Sequence, residues 1–380
     1  MERVKVVHMT SAHTAVDGRI FHKECRSLAR AGFDVTSIGP HSEDTTLDEV
    51  RIRSVRRDGT RLARMTRTVW RIYREAVRQD ADIYHFHDPE LIPAGLALRA
   101  AGKDVIYDLH EDYPKDMLGK TYLPEWSRGA VSWLMKKMEA GVCRHFSALV
   151  AVTPTIADRF RTINGRTVIV YNYPCSDELV TEDLPGSWEA RRQSVVYAGG
   201  ITGQRGIYDM VAAMNLLPAS LEATLELAGP TVQGDVQIED LHGLPGWGRV
   251  RYHGRLDLPN TFRMLHTVRA GLVVLHPLPN YVESMPQKLF EYMGAGIPVV
   301  ASDFPLWRRI ITDCGCGILV PPHDIPAIAR AIEYLLTHPA EAAEMGRRGQ
   351  SAVLDRYNWD LQAKKLVDLY RELGTRICVA

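Results

Sequence analysis

The chain of 380 residues has few cysteines, no net charge and no long apolar run. Only Cys314 and Cys316 of its six cysteines stand close together, so neither a zinc knuckle nor a redox C-x-x-C motif is indicated. The 46 basic residues balance 46 acidic ones, which gives no overall attraction to nucleic acid. No apolar run approaches the roughly 18 residues that span a bilayer, and residues 1–10 lack a signal-peptide pattern. We therefore expect a reduced, cytoplasmic protein.

Fingerprints of several enzyme classes are missing as well. No G-x-x-x-x-G-K-[ST] occurs, and residues 10–18 hold one glycine where a dinucleotide-binding loop would have three. The sequence thus favours neither a nucleotide hydrolase nor an oxidoreductase. A D-x-D is present as Asp80-Ala-Asp82, but it leads into a strand, whereas ligands bind where parallel strands end. We expect this motif to be structural, and we expect no metal cofactor.

Positive charge is concentrated in residues 51–78, which hold ten arginines against Asp58 and Glu75. Apolar residues recur there at helical spacing from Leu62 to Ala76, with most arginines on other faces. Such a basic amphipathic helix suits peripheral contact with an anionic membrane surface. It equally suits the solvated outer helix of an α/β domain, and the sequence leaves both alternatives open.

Short apolar runs alternate with helical patterns in two successive series, which predicts two tandem doubly wound, Rossmann-like α/β domains with parallel sheets. Residues 174–193, rich in proline and polar turn residues, separate the series, so the predicted domains are 1–173 and 194–358 with a linker between them. Ligands of parallel sheets bind beyond the carboxyl ends of the strands, and two such sheets facing a cleft would gather the site residues there. The predicted strands are 4–9, 35–38, 83–86, 105–107, 149–152 and 168–171, then 195–197, 224–228, 250–252, 271–276, 299–301 and 317–320.

The strongest motif begins at Glu283, soon after a predicted strand, and continues into a helix that Gly294 and Gly296 end. A helix N-terminus presents backbone N–H groups and a positive dipole end, which together favour a diphosphate. Lys288 adds a full positive charge. Glu291 is placed to accept hydrogen bonds from ribose hydroxyls, and Glu283 from hydroxyls of a sugar. The residues predicted to bind the donor here are Ser284, Met285, Pro286, Gln287, Lys288 and Glu291.

Glu283 and Glu291, with seven residues between them in a strand–loop–helix setting, resemble the E-x7-E motif of family 4 glycosyltransferases, which have the GT-B fold. The likeness extends over nearly the whole chain. The segment from Tyr197 to Gly206 resembles the glycine-rich donor loop, where the family usually has an arginine and a lysine for the phosphates. This chain has Gly200 at the arginine position and Arg205 at the lysine position. We therefore assign Gly199, Gly200 and Arg205 to the donor site.

The resemblance also implies residues on the acceptor side. Asp108-Leu-His110-Glu111 follows a strand and looks like the segment of the family's cleft histidine, so His110 joins Arg205 and Glu283 as a predicted catalytic residue. Asp17 either serves the acceptor or caps the next helix. The final helix, 359–380, is similar to the one that crosses back to complete the first domain. The residues predicted to bind the acceptor are His13, Asp17, Arg19, His87, Asp88 and Glu111.

The resemblance implies a retaining, metal-independent hexosyl transfer from a UDP- or GDP-type nucleotide sugar. The acceptor is expected to be a glycan, a lipid-linked molecule or a small natural product. A nucleotide-sugar 2-epimerase and a glycoside phosphorylase share this architecture and remain alternatives. A non-enzymatic scaffold is a third and the least favoured, because it would need none of these charged residues at strand ends.

Overall fold

The computed structural model describes residues 3–119, 123–179, 188–232 and 234–377. The chain divides into two compact units. Unit 1 contains Met1–Asn172 together with Trp359–Ala380, and unit 2 contains Tyr173–Asn358. Of the predicted linker, residues 180–187 lie outside the described residues.

Unit 1 is built on a sheet to which its described residues contribute eight strands, in the order β3-β4-β2-β1-β5-β6-β7-β8. All neighbours pair in parallel except β3, which runs antiparallel to β4 at the edge. Successive strands are added on one side of β1 up to β4 and on its other side from β5 onward, so the topological switch point lies between β1 and β5. Doubly wound sheets bind ligands at such a switch point. The strands are β1 Lys5–Met9, β2 Asp34–Gly39, β3 Thr45–Leu47, β4 Val50–Ser54, β5 Ile83–Phe86, β6 Asp104–Leu109, β7 Ala148–Ala151 and β8 Thr167–Ile169.

Helices cover the sheet of unit 1, and their apolar faces complete a core around Met9, Phe86 and Tyr107. The predicted helix after β1 begins as a π-helical turn, Ile20–Cys25, and Gly32 follows its end with a φ of +95°. Thr153 caps Pro154–Arg161 by accepting a hydrogen bond from the Ile156 N–H. The α-helices are Arg26–Arg30, Arg61–Ala63, Val69–Gln79, Ile92–Ala100, Tyr113–Leu118, Glu125–Cys143, Pro154–Arg161 and Trp359–Ile377.

Unit 2 has a parallel sheet formed by six strands of its described residues, in the order β11-β10-β9-β12-β13-β14. The switch point lies between β9 and β12. The strands are β9 Ser194–Ala198, β10 Thr224–Ala228, β11 Val250–Tyr252, β12 Ala270–Val273, β13 Val299–Ser302 and β14 Gly317–Val320. The α-helices are Ser176–Leu179, Ile207–Leu216, Ile238–His242, Leu258–Leu265, Pro279–Val282, Gln287–Gly294, Pro305–Cys314, Ile325–Thr337 and Pro339–Asp355. The predicted fold class, two doubly wound Rossmann-like α/β domains, is therefore confirmed.

The basic segment 51–78 is not one helix. Its first arginines lie in β4, and the helical part begins at Arg61 and includes a π-helical stretch, Arg64–Thr68. Several arginines form ion pairs: Arg51 with Asp34, Arg53 with Asp44, Arg64 with Glu90, Arg71 with Asp58 and Arg78 with Glu75. Membrane contact by this segment stays a prediction, with less unpaired charge than the sequence indicated.

The Asp80-Ala-Asp82 motif lies before β5, at the amino end of the sheet. Asp82 accepts a hydrogen bond from the Lys5 N–H at 2.8 Å, and Asp80 pairs with Lys103 at 2.7 Å. Both carboxylates therefore have structural partners at the amino end of the sheet. Among the described residues, none of the helices combines the length and the apolar composition needed to cross a bilayer.

Candidate functional site

Two loops meet at the switch point of unit 2. The first leaves β9 and contains Gly199, Gly200 and Arg205; the second leaves β12 and leads through Glu283 to the helix Gln287–Gly294. They meet because β9 and β12 are neighbours in the sheet, although about 80 residues separate them in sequence. Pro286 occupies the N-cap, and Gln287 and Lys288 open the helix.

Lys288 carries an ammonium group buried in this site. Its Nζ lies 3.8 Å from the centre of the Tyr197 ring, and it has no hydrogen-bond partner among the described residues. Burial lowers the pKa of Lys288 well below its usual value, and the nearby Arg205 guanidinium lowers it further. A buried cation without a hydrogen-bond acceptor is costly, and a bound anion would remove that cost.

The two glycines of the loop give space to these cations. A Cβ at Gly199 would lie 2.9 Å from Lys288 Nζ, and a Cβ at Gly200 would lie 2.7 Å from an Arg205 guanidinium nitrogen. Arg205 also donates a hydrogen bond to the Gly200 carbonyl at 3.3 Å. At the position where the family usually has an arginine, this chain therefore has a glycine whose side-chain space the Arg205 guanidinium fills.

The other predicted donor residues lie on the loop and helix that carry Lys288. The first turn of Gln287–Gly294 supplies the positive end of a helix dipole, and the Ser284 carbonyl accepts a hydrogen bond from the Trp307 indole at 2.8 Å, which fixes the loop. Glu283 is exposed, and Glu291 is partly buried near enough to Lys288 to raise the pKa of that lysine. This arrangement can bind a diphosphate and has carboxylates available for sugar hydroxyls.

In unit 1 the ends of β1, β5 and β6 surround a cavity of about 960 Å³. His13, Asp88, His110 and Glu111 all line it. Four methionines, Met65, Met117, Met135 and Met138, line it as well. The cavity therefore has both polar and apolar residues in its lining.

His110 is a neutral histidine that lines this cavity. Its Nε2 lies 3.1 Å from the Tyr113 hydroxyl, and its Nδ1 has no hydrogen-bond partner among the described residues. Burial lowers the pKa of His110 to about 4, against the opposing effect of the Asp108 and Asp88 carboxylates. At neutral pH His110 can therefore donate or accept a hydrogen bond without carrying charge.

Asp88 and Asp17 fix the loop after β1. The Asp88 carboxylate accepts hydrogen bonds from the Thr10 hydroxyl at 2.7 Å and from the N–H groups of Ser11 and Ala12 at 2.7 and 3.1 Å. Asp17 accepts hydrogen bonds from the Arg19 and Ile20 N–H groups at the start of the π-helical turn, and it raises the pKa of His13. Asp17 thus acts as a helix-start cap, one of its two predicted roles, and holds His13 at the cavity.

Arg19 and His87 are placed differently from what their predicted acceptor role requires. Neither lines the cavity, and both are buried. The Arg19 guanidinium forms ion pairs with Asp108 and Glu24, both at 3.0 Å, and His87 Nδ1 lies 3.1 Å from Asp108 Oδ2. They stabilise the elements behind the cavity.

Sequence reasoning missed several residues that shape these two sites. Tyr197 packs under the Lys288 ammonium, and Tyr113 contacts His110 through its hydroxyl. Arg64 and Glu90 line the cavity as an ion pair. The position of Tyr197 near the end of a predicted strand and of Tyr113 three residues after His110 would have drawn attention to them; the Arg64–Glu90 pair has no comparable sequence pattern.

Two family models match the chain. Residues 18–173 match Glycosyltransferase Family 4, and residues 192–338 match Glycosyl transferases group 1. The first match covers β2 to β8 of unit 1 and the cavity residues from Arg57 to Met138. The second match covers the Lys288 site.

Curated and solved proteins are similar as well. A glycogen synthase from Mycobacterium tuberculosis is 23% identical over 64% of this chain, which spans only 59% of that protein. A phosphatidyl-myo-inositol mannosyltransferase from Mycobacterium leprae is 24% identical over 80% of this chain and 77% of its own length. The crystal structure of Anabaena Alr3699/HepE with UDP-glucose shares the fold, with a TM-score of 0.73 at 15% identity over 97% of this chain and all of that one.

Proposed function

Because the chain belongs to the family 4 glycosyltransferases of the GT-B type, we propose that it moves a sugar from a UDP- or GDP-linked donor to an acceptor hydroxyl, with retention of the anomeric configuration. The observation that carries this proposal is the pair of basic side chains at the switch point of unit 2, Lys288 with its buried amino group and the partly buried Arg205. A nucleoside diphosphate is the ligand whose charge and position match that pair and the adjacent helix N-terminus.

The transfer step leaves negative charge on the departing diphosphate while the sugar becomes positive. Arg205, Lys288 and the first turn of Gln287–Gly294 stabilise that diphosphate, much as an oxyanion hole stabilises its oxyanion. The same phosphate accepts the acceptor's proton on the face from which it departs, so the protein supplies no nucleophile. Glu291 binds the ribose and Glu283 positions the sugar. No metal is needed in this scheme, since side chains and backbone neutralise the diphosphate.

The cavity of unit 1 is proposed to hold the acceptor. His110 and Glu111 in its lining suit a sugar or polyol hydroxyl, and the four methionines of the same lining suit an apolar part of the acceptor. This combination favours a lipid-linked or partly apolar acceptor over a purely polar glycan. The mannosyltransferase from M. leprae, by its name, acts on such a lipid.

The first experiment is a thermal-shift screen with UDP, GDP, ADP, TDP and CMP, with and without EDTA. We expect one diphosphate to raise Tm and the shift to survive EDTA. The matching sugar nucleotide is then incubated with candidate acceptors, and the anomeric configuration of the product is read by NMR. Release of nucleoside diphosphate with a retained product supports the transferase. Epimerised nucleotide sugar without release would favour the 2-epimerase, and phosphate-dependent cleavage would favour the phosphorylase.

Arg205→Ala tests the assigned site. We expect it to reduce kcat by a barrier increase of about 2–4 kcal/mol, because the leaving phosphate loses a charge-stabilising donor. The matched control is Arg309→Ala, which removes an exposed arginine from the helix Pro305–Cys314. Equal kinetics in the two variants, or no Tm shift with any nucleotide, would contradict the proposal.

A further inference from the structure

Three histidines and one glutamate meet in the core of unit 1, outside the cavity. His8 lies on β1 and His85 on β5, and the two are paired in the register of these neighbouring strands. His87 follows two residues later, so its side chain projects on the same side of the sheet as that of His85. Glu24, from the π-helical turn Ile20–Cys25, packs against them, and all four side chains are fully buried.

The four side chains surround a common point. His8 Nδ1 and His87 Nε2 lie 3.0 Å apart, and Glu24 Oε2 lies 3.8, 3.9 and 3.7 Å from His8 Nδ1, His87 Nε2 and His85 Nδ1. One ligand atom from each of the four falls within 4.8 Å of every other. A tetrahedral zinc ion with bonds of about 2.0–2.2 Å would separate its ligand atoms by roughly 3.3–3.6 Å. Small side-chain movements would therefore enclose such an ion.

The Glu24 carboxylate is the observation that points to a cation. Its carboxyl group interacts with Asp108, and Oε1 forms an ion pair with Arg19 Nε at 3.0 Å, whereas Oε2 has no hydrogen-bond donor within reach among the described residues. Oε2 faces three imidazoles at distances too long for hydrogen bonds. A buried carboxylate oxygen in that state is destabilising. A cation at the centre would give Oε2 a partner, and it would replace the present contacts of His8 Nδ1 with His87 Nε2 at 3.0 Å and of His85 Nδ1 with the Tyr370 hydroxyl at 2.8 Å.

The surroundings orient the histidines in the manner of a metal site. Asp108 Oδ2 lies 3.1 Å from His87 Nδ1, so it accepts a hydrogen bond from the N–H of that nitrogen and leaves the lone pair of Nε2 directed at the cluster. The Tyr370 hydroxyl lies 3.1 Å from His8 Nε2 and 2.8 Å from His85 Nδ1.

We propose that His8, Glu24, His85 and His87 bind a divalent transition metal, with zinc favoured by three imidazoles and one carboxylate in a compact four-ligand set. The site is closed, with no position open to substrate, so its role is structural: it ties β1, β5 and the π-helical turn together behind the cavity. It goes beyond the proposed function, since the transfer chemistry in that proposal uses no metal.

The test measures metal in the full chain, purified without a histidine tag. We expect elemental analysis to find one zinc per chain, and refolding with Co²⁺ after chelation to give the intense visible bands of tetrahedral cobalt. Glu24→Gln and His85→Gln should each lose the cobalt bands and most of the zinc. Removing zinc from the unsubstituted chain with a strong chelator should lower Tm, and returning it should restore Tm.

His323→Ala is the matched control, because Asp209, His276 and His323 form a second group with metal-ligand spacing in unit 2. We expect this variant to keep both zinc and cobalt bands. Metal lost from His323→Ala but kept by Glu24→Gln would overturn the proposal. A chain that purifies without zinc and shows neither cobalt bands nor a Tm change after refolding with metal would overturn it as well, even if the Glu24 and His85 variants fail to fold.

Discussion

At the scale of single residues, depth of burial decides what each predicted site residue can do. His110 lines the cavity and is neutral because burial lowers its pKa to about 4. Lys288 is held in a desolvated position that favours its neutral form, a state that a bound diphosphate would reverse. Burial thus disfavours the charged form of both groups.

The neutrality of His110 predicts how its variants behave. His110→Asn keeps an uncharged hydrogen-bonding group, so we expect it to retain more activity than His110→Ala, which should lose about 1–3 kcal/mol in kcat/KM. Because the pKa of His110 is about 4, the pH profile between pH 6 and 8 should have the same shape for the unsubstituted enzyme and for His110→Asn. An acid limb near pH 6.5 that disappears in His110→Asn would show that His110 titrates there.

At the scale of elements, the donor loop depends on a close approach between two segments. Gly206 has a φ of +79° and precedes the helix Ile207–Leu216, directly after Arg205. A Cβ at Gly206 would lie 2.2 Å from the Val274 carbonyl oxygen, just beyond β12. The backbone contact fixes where Arg205 leaves the loop.

Gly206→Ala should therefore damage both stability and activity. We expect it to lower the free energy of unfolding by more than about 2 kcal/mol, since left-handed strain and a backbone clash add together. The control is Gly254→Ala in the same unit, where φ is +66° but no atom lies within 4 Å of the added Cβ. That variant should lose only about 1–2 kcal/mol and keep full turnover. Urea unfolding and donor kinetics of the two variants test this, and equal losses would contradict it.

At the scale of the whole molecule, each unit has its own core and its own candidate site. Stability at acid pH should then reflect individual buried groups within a unit. His266, at the end of the helix Leu258–Leu265 in unit 2, is 2% exposed, and its Nε2 has no hydrogen-bond partner among the described residues. Burial lowers the pKa of His266 to about 4, and Arg191 adds to the effect.

The unfolded chain binds a proton at this histidine near pH 6.5, whereas the folded chain does so only near pH 4. The free energy of unfolding should therefore fall as pH decreases through this window, with no contribution above it. We expect His266→Leu to reduce the stability lost between pH 7.5 and pH 5 by about 2 kcal/mol, measured by urea unfolding. Parallel pH curves for the variant and the unsubstituted chain would show that His266 does not control this loss.

The sequence by itself determined the fold class and most strands. Strands of a parallel sheet are buried on both faces, so they appear as continuous apolar runs, and β10, β11 and β14 have the predicted bounds. The edge strand β3 and its neighbour β4 were missed because they are short and partly exposed, and because Val50–Ser54 alternates arginine with apolar residues. The Glu283–Glu291 motif could also be recognised from the sequence, because its residues are close together in the chain.

Only the tertiary structure decided which charged residues are buried with each other. Arg19 and Asp108 are 89 residues apart in sequence, and nothing in either local pattern indicates that they pair in the core. The same holds for Lys288 beneath Gly199 and for the cluster of His8, His85 and Glu24. Local sequence sets the period of each element, but the order of strands in a sheet brings distant side chains together. The chemistry of both candidate sites depends on that order.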